Sequence, residues 1–212
     1  MKKQRVNLLS CIIIALVLVL TNLSPVFAQT KDGYTIDMKQ VEADWEKAAK
    51  VPVERDKVSE RSNIIAPLAT GTYPTRKGVI LVTPDKLKGI IPTGHAAIIY
   101  NSTTVVESLS EGVTTGPNNW NKVRSKTYGV TVSGTTATQD SNAANWCYNQ
   151  RGKSYNWNYL NVSTRSSFYC SHLIWAAFKD LYGIDLDTSS YGVAVHPMEL
   201  VNSSRTTKIY ES

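Results

Sequence analysis

"SSFYCSHLIWAAFKDLYG", residues 166–183, is the stretch on which the reading of this chain turns. Leu173, Ala177, Phe178 and Leu181 share a face with Cys170, and Gly183 supplies a stop, so the spacing predicts a helix over 170–181 that begins at a cysteine. A thiol in the first turn lies beside backbone N–H groups that have no partner within the helix. That placement favours the thiolate, whereas a structural thiol can sit anywhere along an apolar face. Cys170 is therefore the candidate nucleophile.

A thiol is mostly protonated at neutral pH and needs a base, and the chain offers three histidines. His172 lies two residues beyond Cys170 on the same helix, where side chains diverge, and reads as a surface or cleft-wall residue. His196, in "VAVHPME", precedes a proline and reads as a loop residue. His95 opens the apolar strand "HAAIIY" (95–100). The neighbouring "TVVESL" (104–109) carries Glu107, a carboxylate that is costly inside such a strand unless it has a partner. In a hairpin with a three-residue loop of Asn101, Ser102 and Thr103, Glu107 falls opposite Ala97, on the face of His95 and one diagonal step away. A two-residue loop would set the pair on opposite faces. In the first register His95 takes the proton of Cys170 and Glu107 holds the other ring nitrogen. The thiolate attacks an acyl carbonyl, and N–H groups at the helix start, including that of Cys170, receive the oxyanion.

Working outward, "GVILVTP" (78–84) and "YGVTVS" (128–133) predict two more strands, and a further helix runs from about residue 141 to 150. Strands first and helices last predict an α+β fold with a largely antiparallel sheet, over residues 76–212. Residues 29–75 form an N-terminal helix and linker. In "DMKQVEADWEKAAK" (37–50), Met38, Val41, Trp45 and Ala48 recur at helical spacing, and "NIIAPLATGTYPTR" (63–76) is extended; a propeptide, a spacer and a docked helix all fit.

Residues 1–28 read as a signal peptide: Lys2, Lys3 and Arg5 precede an apolar run from Cys11 to Leu20, and "PVFA" sets cleavage after Ala28. The run is about half of the ~20 residues that span a bilayer, so no stable membrane insertion follows cleavage. The signal holds three of the 23 basic residues and none of the 17 acidic ones, which takes the net charge from +6 to +3 and does not argue for nucleic acid. Cys147 and Cys170 remain, as a disulfide or as free thiols. The histidines and cysteines lack metal-ligand spacing and no phosphate-binding glycine loop is present, so neither metal nor cofactor is implied.

"GKSYNWNYL" (152–160), "FYCSHLIWAAF" (168–178) and "YGIDL" (182–186) resemble the NlpC-type papain-like cell-wall peptidases, and "GHAAIIY" (94–100) resembles their histidine strand. That strand usually follows the cysteine; here it precedes it. The swapped order resembles the circularly permuted, YiiX-like branch, with matches at Gly94–His95, "VVES" (105–108), "TTGPNNW" (114–120), "GKSYN" (152–156) and "YCSHL" (169–173). The resemblance implies a permuted papain-like fold with an antiparallel sheet packed on helices. It implies Cys170 as nucleophile, His95 as base, Glu107 as orienting residue and Tyr155 near the oxyanion side of the cleft. Tyr155 and Tyr169 are expected to line a groove for a peptide, glycopeptide or acyl substrate, with Trp175 and Phe178 in the core. His172 stands where this branch more often has an acid, and Asn156 and Asn158 where an aspartate often stands. Cys147 matches no catalytic position and reads as a semi-buried helix residue. The expectation is an exported cysteine hydrolase acting on cell-wall peptides through a thioester. A catalytically inactive binding module of the same fold, or a secreted adhesion domain, is the alternative.

Overall fold

The computed structural model describes residues 27–29, 35–58, 71–86 and 94–212. The signal-peptide reading of residues 1–28 lies almost entirely outside that set, as does the first part of the linker. A short antiparallel pair, β1 (Phe27–Gln29) and β2 (Thr35–Asp37), leads into α1 (Met38–Lys50). Asp37 caps α1 by accepting from the Lys39 N–H at 2.9 Å, and Lys47 and Lys50 complement its C-terminal end.

There follow β3 (Ile80–Thr83), β4 (His95–Asn101), β5 (Thr104–Leu109), β6 (Gly112–Pro117), the short α2 (Trp120–Val123), β7 (Tyr128–Val132) and α3 (Ala137–Asn149). The chain continues through β8 (Ser154–Tyr155), β9 (Ser167–Phe168), α4 (Cys170–Tyr182), α5 (Glu199–Asn202) and β10 (Thr206–Glu211). One six-stranded sheet, antiparallel throughout, runs in the order β10-β7-β3-β4-β5-β6, and β8 and β9 form a small parallel pair beside it.

Both faces of the sheet are covered, so β3 and β7 are buried at every position. On one face Ile80, Val82, Ala96, Ile98 and Val130 meet Ala143, Leu173, Ala177 and Phe178 of α3 and α4. Fully buried side chains such as Leu173 and Phe178 each contribute about 1.5–3 kcal/mol of transfer free energy. On the other face Val79, Leu81, Ala97, Ile99 and Val105 pack against Trp120 and Ile209.

Helix ends explain the boundaries. α3 starts four residues earlier than the apolar spacing predicts, because Thr136 and Gln139 form a reciprocal capping box. α4 ends at Gly183, whose left-handed φ of 67° closes the helix as expected. Two strands of the six-stranded sheet, β6 and β10, escape the pattern reading; both are edge strands of mixed polarity.

The N-terminal arm is packed onto the sheet. Trp45 of α1 stacks on Tyr128 with ring centroids 5.9 Å apart. Lys208 of β10, almost fully buried, donates to the Ala48 and Ala49 carbonyls at 3.0 and 3.3 Å and pairs with Glu211. A buried ammonium tied to the C-terminal carbonyls of α1 fastens the arm to β10.

Candidate active site

The hairpin β4–β5 sets the geometry. Its turn holds two residues, Ser102 and Thr103, with Asn101 opposite Thr104, where a three-residue loop was expected. An irregularity between Ile99 and Asn101 takes up the extra residue, so Ile99 still faces Val105 and Ala97 still faces Glu107. The bulge thus restores the register that a two-residue turn alone would break. His95 and Glu107 fall on one face, and the His95 Nε2 lies 2.7 Å from Glu107 Oε2.

Two glycines are required beside this pair. Gly94, at a φ of 121°, turns the chain into β4; a Cβ there would collide with the Trp45 ring and the Thr83 carbonyl. Gly116 of β6 lies beneath Glu107, and a Cβ there would collide with Glu107 Oε1. Trp120 covers the imidazole, with centroids 5.4 Å apart and planes 26° from parallel. From the sequence, Gly116 enters only inside the "TTGPNNW" match.

Cys170 is the first residue of α4. Its N-cap, Tyr169, makes no side-chain capping bond and the first turn contains no acid, so the positive end of the helix is left to the sulfur. Two hydrogen bonds anchor that end: Ser108 Oγ of β5 donates to the Phe168 carbonyl, and Ser171 Oγ to the Val195 carbonyl, both at 2.6 Å. The groups that act on the thiol against its burial are the His95 ring and the Ala96 and Ser171 N–H groups. With Nε2 on Glu107, the other ring nitrogen is the one left for the sulfur.

Burial alone would push the Cys170 thiol up, but the hydrogen bond and charge of His95, with the two N–H groups, bring it below its ordinary value. Burial alone would push the imidazole down, yet Cys170 and Glu107 raise it to about 9. The contact therefore favours a thiolate–imidazolium pair, and an arrangement of this kind can deliver a sulfur nucleophile and a proton to one substrate.

Of the remaining candidates, some fall where the sequence places them and some do not. His172 is a core residue and not a surface one: its ring lies among Phe168, Tyr169 and Trp175, Nε2 is 3.0 Å from the Val162 carbonyl, and burial with Arg165 nearby holds it down at about 4. The turn from β9 into α4 wraps that side of the helix, which two-residue spacing from Cys170 does not reveal. His196 is in a loop as expected, buried, with Nδ1 accepting from the Met198 N–H at 3.3 Å. Tyr155 and Tyr169 do not line an open groove: they are 4% and 1% exposed. Tyr169 accepts from the Val195 N–H and donates to the Tyr159 carbonyl, and the apolar cavity it borders measures only about 20 Å³. Tyr155 packs at a tilt against Trp157; burial and the Cys170 charge push its phenol well up, so it stays a neutral donor near the sulfur. Cys147 is fully buried in α3 and free, as is Cys170, so no disulfide joins them. Trp175 and Phe178 lie in the core as expected.

A polar cavity of about 530 Å³, bordered by Asp44, Lys47, Asp187, Glu199 and Arg205, includes none of the three convergent residues. Among the described residues, no three of His, Cys, Asp and Glu are placed to hold a metal ion, and none of the helices is long and apolar enough to cross a membrane.

The fold and sequence have counterparts. The crystal structure of the metalloprotein YiiX from Escherichia coli O157:H7 superposes with a TM-score of 0.53 at 13% identity, over 65% of this chain and 98% of that one, a likeness of fold. The uncharacterized protein YycO of Bacillus subtilis (strain 168) is 32% identical over 120 residues, which are 55% of this chain and 48% of that protein; the match thus spans about half of the relative's length. Residues 79–209 match the profile of the permuted papain-like amidase enzymes, the YaeF/YiiX, C92 family. That stretch contains both strands of the histidine hairpin and the whole of the cysteine helix, and this chain belongs to the permuted papain-like amidase family.

Proposed function

We propose that the protein is an exported cysteine hydrolase that opens an amide or related acyl bond of a peptide, glycopeptide or acyl substrate of the cell wall, through a thioester acyl-enzyme. Cys170 is the nucleophile, His95 the acid–base group and Glu107 the residue that orients it. The observation that supports this most is the pair of opposite shifts in one contact: a thiol pKa brought down beside an imidazole raised to about 9, with Glu107 2.7 Å from the far ring nitrogen. Export rests on the sequence of residues 1–28.

The steps follow from the charges. The thiolate adds to the carbonyl carbon, and the oxyanion is received by N–H groups at the first turn of α4, that of Cys170 among them. The C–N bond breaks as the imidazolium gives its proton to the leaving nitrogen. A water then attacks the thioester, His95 taking its proton, and the acid leaves as the thiolate re-forms. Glu107, 2.7 Å from Nε2, keeps the ring turned and its charged form favoured. None of these steps runs through a metal ion.

One observation favours a second reading, a catalytically inactive binding module at the cell surface: Cys170 and His95 are each only 1% exposed, so substrate must displace part of the cover to reach the sulfur. Alkylation decides between them. The hydrolase reading expects iodoacetamide to label Cys170 rapidly at pH 7, with labelling slowed about a hundredfold or more in His95→Ala. It also expects an acyl adduct on Cys170 by mass spectrometry with activated acyl substrates. Slow labelling that ignores His95 selects the binding module.

A further inference from the structure

We propose that Arg124 selects the substrate by pairing with a carboxylate that the substrate carries close to its scissile bond. This rests on the hydrolase reading above and adds to it the charge of the molecule that is cut.

Arg124 directly follows α2 and lies over Trp120, with its guanidinium carbon 5.0 Å from the ring centroid. The same ring lies 5.4 Å from the His95 imidazole. Together the two separations hold the guanidinium carbon within about 10 Å of the imidazole centre. That is the reach of roughly three extended residues at most. On this proposal the anion of a substrate bound at Cys170 lies within that span.

One donor of Arg124 is unspent. Its Nε is buried and has no hydrogen-bond partner, and its side chain forms no ion pair among the described residues. Two other partly buried arginines show the contrast: Arg76 is divided between Asp56 and Asp140, and Arg165 holds both oxygens of Asp180. A desolvated N–H with nothing to donate to is costly, and the cost is recovered when an acceptor arrives. Neighbouring carboxylates are already committed, Asp85 to the N–H and Oγ of Ser125 and Glu211 to Lys126 and Lys208. Lys122 and Lys126 add positive charge along the same segment. The guanidinium presents a flat fork matched to two carboxylate oxygens, which a neutral amide does not match.

The chemistry assigned is thus an amide or ester whose acyl or amine part keeps a free carboxylate, either a chain terminus or an acidic side chain. Iodoacetate and iodoacetamide test it directly, because both place a CH2 group on the sulfur with loss of iodide and differ in one charge. With the full chain at pH 7 and low salt, Arg124→Leu is expected to slow labelling of Cys170 by iodoacetate about tenfold while iodoacetamide changes less than about twofold. Arg124→Lys, which keeps the charge, is expected to recover part of the iodoacetate rate. Protection of Cys170 from iodoacetamide by acetyl-diglycine, with a terminal carboxylate, or by acetyl-glutamyl amide, with only a side-chain one, identifies the source. Equal slowing of both reagents in Arg124→Leu, no slowing of either, or protection by neither acid or equally by their neutral amides, overturns the proposal. A wild-type Cys170 that ignores iodoacetamide removes the hydrolase reading instead, so the two failures are told apart.

Discussion

Cys147 and Cys170 are equally hidden from solvent and differ in everything else. Cys147 sits inside α3, its thiol 3.6 Å from the Leu173 carbonyl, and burial pushes its pKa far up with almost nothing to oppose it. Cys170 starts α4, with an imidazole, two N–H groups and an uncapped helix end around the sulfur, and its pKa comes down. Burial by itself therefore does not decide whether a thiol is inert. What decides it is whether the surroundings supply positive charge faster than they remove water.

That contrast is easiest to break with the two cysteines themselves. Cys170→Ala should lower turnover about a thousandfold or more, whereas Cys147→Ala should leave it within about twofold, because only the first removes the reacting atom. Assay of one acyl substrate on both variants checks it, and comparable losses in both would erase the distinction. The pH dependence sharpens it further. Labelling of Cys170 should rise through a midpoint below the ordinary thiol value, since the thiolate is the form present above its lowered pKa. Turnover should then fall as pH passes about 9, where His95 loses the proton the leaving group needs. Cys147 should stay unlabelled across that whole range in the folded protein. A titration of labelling followed by peptide mapping reads both thiols in one experiment.

A smaller effect is expected at Gly116. Gly116→Ala pushes a methyl group against Glu107 Oε1 and should cost about tenfold in turnover and move the alkaline limb to lower pH, as the imidazolium loses its partner. In a Glu107→Ala background the same change should cost almost nothing. Additive losses would mean that Gly116 matters only for packing. Smallest of all, His172→Gln should leave labelling of Cys170 within about twofold and show itself only in a shifted melting temperature, since the ring at 172 touches core and not sulfur.

The site was more legible in the sequence than the path to it. A carboxylate inside "TVVESL" demands a partner, and alternation along two adjacent strands names His95 as that partner only in the register of a three-residue loop. The chain meets this demand by a device that alternation cannot show, a bulge near Tyr100 beside a turn one residue shorter than expected. The start of α3 was legible too, in Thr136 and Gln139, but an apolar repeat draws attention away from polar caps. β6 and β10 were not, because an edge strand can be polar on both sides and its pairing depends on a neighbour distant in sequence. The groove expected of Tyr155 and Tyr169 is not legible either way: an aromatic residue next to a nucleophile serves equally well as wall or as filling, and the loop from β8 to β9, with Val195 opposite, packs around both.

The buried lysine of β10 has one more outcome. Because Lys208 binds the end of α1 and its carbonyl accepts from the Glu54 N–H at 2.7 Å, the arm that precedes the catalytic sheet and the strand that finishes it lie side by side. A protein engineer can splice these neighbours with a short tether and reopen the backbone at the unobstructed Gly134 turn, giving a molecule in which the sulfur is synthesised before the imidazole. Such a rewired chain should regain iodoacetamide labelling at the same sulfur, and failure to do so would show that the present order of synthesis matters to folding.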